Sequence, residues 1–355
     1  MNILCALPDT NDCISWWRAW MPLMHMQRAD PTIQVDLFNF MENRSIGWHT
    51  IEKADVVYMS RPFLRDYMTV IGMAKKLGKK VWVDYDDNYW QVPHWNHCKQ
   101  SFGEQACAYL DVAAQLADVV TVSTPVLADM LRTKTDKPIH VVPNAFPDRY
   151  VWPTAPRKKV VLYRGGWKTH AVDLKSVASQ FQAVIDAHPD WTFMCATQGH
   201  PIMVDGPNVQ FVGDISLPDF HLWAQELAPA IMVNPLEFSD FNRAKSNIAW
   251  MEGTLAGAAV LCPSMPQYMQ PGCVTYEFED QFGDQLRAML SADPEHLQTR
   301  AKEGQDAIDA KYRVSIVNKQ RAAILKDLLS PTPTIASPRE THTANPGPAL
   351  QAVGR

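Results

Sequence analysis

The chain has 355 residues, 46% of them hydrophobic and 20% charged, which suits a folded protein long enough for two domains. A formal net charge of −5 argues against charge-driven nucleic-acid binding as a general mode, leaving local basic clusters at 75–80 and 157–159 as the places able to touch phosphates. Seven scattered cysteines without a CxxC pair argue against structural zinc, and no apolar run reaches membrane-spanning length.

The amino terminus, MNILCALPDT, reads as a strand rather than a leader, and with reduced, buried thiols it points to a cytoplasmic protein. Apolar runs over 2–7, 33–40, 54–60, 80–85, 119–123 and 140–142 predict strands. Helical periodicity covers 15–26, 65–76, 104–116 and 125–132. Strand and helix in alternation predict a parallel sheet covered on both faces. Residues 147–159 break the pattern with Pro147, Pro153, Pro156 and a basic cluster, as a linker does. The alternation restarts with strands over 160–163, 191–196, 209–212, 230–234, 258–262 and 274–278. Leu174, Val177, Phe181, Val184 and Ile185 mark an amphipathic helix between the first two of these. Helices follow over 281–290, 294–310 and 314–329. The predicted fold is α/β, with two Rossmann-like parallel-sheet domains facing across a cleft. They occupy 1–150 and 157–310, followed by a helix over 311–329 expected against the first domain and a disordered tail over 330–355 rich in Pro, Thr and Ala. Ligands of such sheets bind outside the carboxyl ends of the strands. Twelve tryptophans supply core and, in part, stacking surface for sugars or bases in the cleft.

The stretch from Arg243 to Pro263, RAKSNIAWMEGTLAGAAVLCP, reads as a helix running into a buried strand. Ile248, Met251 and Leu255 share one apolar face, and Gly257 stands where the helix should stop. Asn242, Lys245 and Ser246 gather at the expected helix start, where free N–H groups, a hydroxyl and a cation suit a phosphate. Glu252 lies two turns further in, placed to accept from ribose hydroxyls. This segment resembles the nucleotide-binding element of GT-B glycosyltransferases, the retaining family 4-like class found in bacteria and phages. The spacing from Glu252 through Gly257 to Pro263 carries the resemblance. Relatives often have a second glutamate eight positions earlier, where this chain has Ala244. The resemblance implies a UDP- or GDP-sugar as donor substrate, no tightly bound cofactor, and no metal needed to hold the donor. It assigns the donor to the second domain and the acceptor to the first.

Other candidate residues sit at predicted strand ends. In Tyr163 to His170, YRGGWKTH, Gly165 and Gly166 permit close backbone approach, and Arg164 and Lys168 can neutralise a diphosphate. The loop is similar to the basic loop of the same family. A surface turn with incidental charges is the competing reading. Thr169 is a candidate helix cap, and Glu237 and Asp240 are weaker candidates near the sugar or as caps. Asp84, Asp86 and Asp87 end a strand and precede His94, Trp95, Asn96 and His97. Asp86 is the expected catalytic carboxylate, able to position or deprotonate an acceptor hydroxyl, with a divalent cation or simple capping as alternatives for the trio. The loop after the first strand lacks the glycines seen in relatives. Asp9, Asn11, Asp12 and Ser15 are possible substitutes, and Arg18 is expected to reach the phosphates. Arg61, Ser123 and Asn144 complete the edge.

The sequence thus points to transfer of a sugar to an acceptor hydroxyl on a polysaccharide, lipid-linked sugar, protein or modified DNA base. Nucleic acid is a possible partner that the net charge does not indicate. A sugar-nucleotide epimerase and a non-catalytic sugar-nucleotide-binding protein are the alternatives.

Overall fold

Two parallel sheets of six strands each organise the chain. The computed structural model describes residues 1–330 except 44, 166, 198–202, 214 and 218, and leaves out the side chains of 167 and 168. The tail expected over 330–355 therefore lies, from 331 onward, outside the described residues. The first sheet contains β1 (Asn2–Leu7), β2 (Gln34–Asn39), β3 (Val56–Ser60), β4 (Lys80–Tyr85), β5 (Val119–Val122) and β6 (Ile139–Val141) in the order β2-β1-β3-β4-β5-β6. The second contains β7 (Lys158–Gly165), β8 (Thr192–Thr197), β9 (Val209–Val212), β10 (Pro229–Val233), β11 (Ala259–Pro263) and β12 (Cys273–Tyr276) in the order β12-β11-β10-β7-β8-β9.

The central strands are apolar nearly throughout because helices cover both faces. In β4, Val81, Val83 and Tyr85 enter one core while Trp82 enters another. In β7, Val161 and Tyr163 face one core and Val160 and Leu162 the opposite one. Strand order reverses between β1 and β3 in the first sheet and between β7 and β10 in the second. Those switch points are where open α/β sheets offer crevices to ligands.

Two helices depart from the sequence expectation in instructive ways. The helix expected over 15–26 is broken into a turn at Cys13–Ser15, a π-helical turn at Trp16–Trp20 and an α-helix at Met21–Ala29. Pro22 has no N–H for the Arg18 carbonyl, and the Tyr58 hydroxyl donates to that carbonyl instead at 3.0 Å. The helix expected to begin near Ser246 begins at Ile248, preceded by a separate short helix at Asp240–Arg243 capped by Ser239. Lys245 and Ser246 thus lie on a strap between helices rather than on a helix. Gly257 ends the second helix at φ +77°, in the left-handed region, as a helix stop requires. Helices at Trp48–Lys53 and Asp219–Leu227 were not anticipated.

The last helix, Val314–Leu329, packs with the first sheet: Val314, Val317, Ile324 and Leu325 share a core with Ile3, Tyr58 and Trp82. Its Asn318 amide donates to the Pro22 carbonyl at 2.9 Å. Where the chain passes between the sheets it is laced to itself, Phe146 N–H to the Tyr312 carbonyl and Val314 N–H to the Phe146 carbonyl, both at 2.8 Å.

Candidate active site

Arg164, the penultimate residue of β7, places its guanidinium 4.1 Å from the centroid of the Phe220 ring and forms an ion pair with Glu252. Glu252 comes from the helix Ile248–Leu255, and its side chain is only 2% exposed. Its other oxygen faces His221 Nε2 at 3.3 Å, and His221 Nδ1 lies 3.1 Å from the Tyr150 hydroxyl. Burial would raise the Glu252 carboxyl, but Arg164 and then His221 outweigh it and hold it below its ordinary value. Burial depresses His221, with Glu252 opposing. The carboxylate expected to lie open for ribose is therefore covered by Arg164.

A second buried carboxylate, Asp173, shapes the loop after β10. It accepts from the Glu237 N–H at 2.7 Å and from the Asn242 amide at 2.9 Å, and pairs with His170 Nδ1 at 2.7 Å. Asn242, expected on the ligand, is fully buried and braces this loop from behind. Glu237 is raised by burial and by Asp173, with His94 of the first half pulling the other way.

Three residues of the strap between the two short helices, Ala244, Lys245 and Ser246, are tied to loops of the first half. Thr124 Oγ1 donates to the Ala244 carbonyl at 2.9 Å, Lys245 Nζ donates to Asp87 Oδ2 at 3.1 Å, and the Asn144 amide donates to Ser246 Oγ at 2.9 Å. Lys245 also lies 4.5 Å from the centroid of the Phe241 ring. Burial would lower the Lys245 ammonium, yet Asp87 and Asp173 outweigh it and raise it. A cavity of about 320 Å³ opens beside the strap, lined by Ser123, Thr124, Arg243, Asn247, Gln267 and Tyr312 among others. It does not include Arg164, Glu252 or Lys245.

On the opposite wall the three aspartates separate by role. Asp84 is buried and takes a two-pronged grip from Arg18, at 2.7 and 3.0 Å, plus the Thr121 hydroxyl. Arg18 spends its remaining bonds on the Val142 carbonyl and Asn144. The expectation that Arg18 reaches phosphates is thus overturned: the residue is a core staple, drawn inward by a partner 66 positions away. Asp86 is half-buried, accepts from the Tyr89 hydroxyl, and is pushed up to about 6 by desolvation, with Arg61 opposing and Asp87 adding to the rise. Asp87 holds Lys245. Arg61 follows β3 at φ +51°, a strained conformation for an arginine, and donates to Asp12 at 2.6 Å.

Electrostatics link the two halves at these edges. Desolvation raises the Cys13 thiol, and Arg164, ahead of Arg61, opposes it. Desolvation raises the Cys98 thiol too, and there Lys245, ahead of Arg61, opposes it. Arg164 and Lys245 from the second half thus each act on a thiol of the first half, and Arg61 acts on both. Gly165 is required where it stands, since a Cβ would collide with the Tyr163 ring. Gly166 and the Lys168 side chain lie outside the described residues.

Sequence reasoning missed His221 and Tyr150. The signal for the first was present: Ser216 and Asp219, three apart, precede Phe220, Ala224 and Leu227 at i, i+4 and i+7, a capped amphipathic helix. Among the described residues, no three or more His, Cys, Asp or Glu side chains form a group able to hold a metal, and no helix is long and apolar enough to cross a membrane.

No family model matches this chain, and no curated protein sequence matches it. Solved structures do match its fold. Sucrose-phosphate synthase from Thermosynechococcus elongatus aligns with a TM-score of 0.65 at 13% identity, covering 92% of this chain and 99% of that one. A glycosyltransferase from Rickettsia africae gives 0.64 at 11% identity, covering 93% and 99%. The pneumococcal O-GlcNAc transferase GtfA, solved with UDP and GlcNAc, gives 0.57 at 12% identity over 78% of this chain, which spans 57% of that longer one. At such identities the likeness establishes the fold, which is GT-B: two Rossmann-like parallel-sheet domains facing across a cleft.

Proposed function

We propose that this chain is a glycosyltransferase that moves a sugar from a nucleoside-diphosphate donor to an acceptor hydroxyl. A fold hosts many chemistries, so the reading rests on the site. The observation that carries it is Lys245 of the second half meeting Asp87, with Asp86 also acting on it, at the carboxyl edge of the first sheet, while Arg164 ends the central strand β7 of the second.

In the proposed reaction the bond from the sugar's anomeric carbon to the diphosphate oxygen breaks, and its electron pair leaves with the diphosphate. Charge therefore grows on the leaving group, and preorganised cations there lower the barrier most. Arg164 and Lys245 supply that charge, joined by Lys168 and the Ser246 hydroxyl, with Gly165 and Gly166 admitting the phosphates to the backbone. Arg164 is 27% exposed and Glu252 only 2%, so Arg164 is the member free to turn. Its turn toward the diphosphate uncovers a Glu252 oxygen for the ribose. Asn242 shapes the loop rather than touching the sugar nucleotide. The acceptor oxygen bonds to the anomeric carbon, and Asp86 orients the acceptor and takes its proton.

Nucleoside-diphosphate release, measured with UDP- and GDP-sugars against glycan, lipid-linked, protein and modified-DNA acceptors, tests this. Release that depends on an acceptor and on Arg164 is the expected result. Interconversion of the sugar without an acceptor would make the chain an epimerase, and binding without turnover a non-catalytic binder; either would overturn the proposal.

A further inference from the structure

We propose that His221 is a positioning residue for Glu252, with its Nε2 hydrogen fixed on the carboxylate and its Nδ1 held by Tyr150, so that Glu252 keeps its orientation when Arg164 turns to the diphosphate. The inference rests on the nucleotide-site reading above and adds residues that reading does not use.

The hydrogen-bond partners decide the tautomer. A carboxylate only accepts, so the ring nitrogen 3.3 Å from Glu252 carries the hydrogen. A neutral imidazole has one such hydrogen, so Nδ1 accepts, and the Tyr150 hydroxyl at 3.1 Å is a donor. The tyrosine hydroxyl can donate or accept, so the carboxylate decides the tautomer, and burial favours the neutral ring.

Packing then fixes the ring. Trp16 and Trp17 meet it edge-on, with centroids at 5.8 and 5.6 Å, and Phe146 and Tyr150 do so at 5.3 and 5.4 Å. Trp16 and Trp17 belong to the π-helical turn of the first half, and Phe146 and Tyr150 to the segment joining the sheets. Residues from both halves thus determine which way Glu252 points. Of the two described groups that hold Glu252, Arg164 is partly exposed, while the His221 side chain is 1% exposed. When Arg164 leaves, His221 is the remaining donor to this buried carboxylate among the described residues. Orienting partners behind a ligand-binding side chain act in this way.

Paired substitutions separate positioning from packing. In His221→Gln the amide nitrogen reaches the place of Nε2 and still donates to Glu252. In His221→Asn the amide reaches only the Tyr150 side. UDP and GDP binding to the full chain, measured by calorimetry beside thermal melts, should show His221→Gln close to the parent. His221→Asn should weaken binding about tenfold or more at a similar melting temperature, the loss of one bond to a charged group. Equal affinity in both variants, or losses that only track melting temperature, overturns the inference while leaving the nucleotide site intact. A parent protein that binds neither nucleotide overturns that site and the inference with it. Should the variants not fold, nitrogen-15 NMR of the parent's imidazoles decides: an Nε2–H ring that does not titrate is expected, and an Nδ1–H ring or an imidazolium at neutral pH overturns the assignment.

Discussion

Lys245 and Asp87 face each other across the two sheets, Nζ to Oδ2 at 3.1 Å, with side chains 20% and 16% exposed. The contact ties a cation proposed for the diphosphate to a carboxylate of the opposite wall. A nucleotide drawing on Lys245 must compete with Asp87. Asp87→Asn should therefore strengthen nucleoside-diphosphate binding several-fold at low salt, with the gain shrinking as salt rises. Lys245→Ala should lower turnover about 100-fold, the usual loss of one preorganised donor to a leaving group. Calorimetry at two ionic strengths and steady-state turnover provide the check. An Asp87→Asn protein that binds more weakly would mean the pair builds the site rather than competing with it.

Asp86 sets a pH dependence. Its carboxyl is pushed up to about 6, chiefly by desolvation. A base acts when deprotonated, so turnover should rise from acid pH, level off above about 6, and lose that limb in Asp86→Asn. If the limb persists in Asp86→Asn with undiminished rate, the acceptor proton goes elsewhere, the departing diphosphate being the nearest alternative base.

Arg18 and Asp84 should matter to stability rather than to the nucleotide. Both are buried and joined by two bonds, and Arg18 also holds the Val142 carbonyl and Asn144. Removing one partner leaves a buried charge, so Arg18→Met or Asp84→Leu alone should cost about 3–5 kcal/mol in denaturant unfolding. The surviving folded fraction should still bind nucleotide. A variant of ordinary stability with abolished binding would return Arg18 to the site.

The sheets were legible because strands covered on both faces must be apolar nearly throughout, as β10 is and as the middles of β4 and β7 are. The place of Arg164 at the cleft was legible because it stands at a strand's carboxyl end, whereas Lys245 was picked out as part of a helix start that the structure turns into a strap. Arg18 was misread because nothing local distinguishes an arginine bound to a buried aspartate from one facing phosphate. Its partner lies 66 positions away, and Pro22 turned the helix into a π-turn that aims it inward. Asn242 misled for the same reason, since its amide answers to Asp173. His221 gained meaning only beside Glu252 and Tyr150, which are remote in sequence and meet through the fold.

Arg164 and Glu252 give a pH-dependent stability difference of predictable sign. The Glu252 carboxyl sits below its ordinary value because Arg164, with help from His221, outweighs burial. A depressed carboxyl contributes stability above its unfolded value and loses it as pH falls through the folded value. In Arg164→Ala the largest lowering influence is gone, burial dominates, and the carboxyl should move above its ordinary value. The variant should then be least stable, relative to the parent, near neutral pH, with the gap narrowing on acidification toward pH 5. Arg164→Lys should fall between, since lysine keeps the charge but neither the planar stack on Phe220 nor a forked grip. Denaturant midpoints of the three proteins at neutral and mildly acid pH measure this. A gap that stays constant across that range would mean Glu252 does not depend on Arg164 for its charge, and the exchange proposed between carboxylate and diphosphate would lose its physical basis.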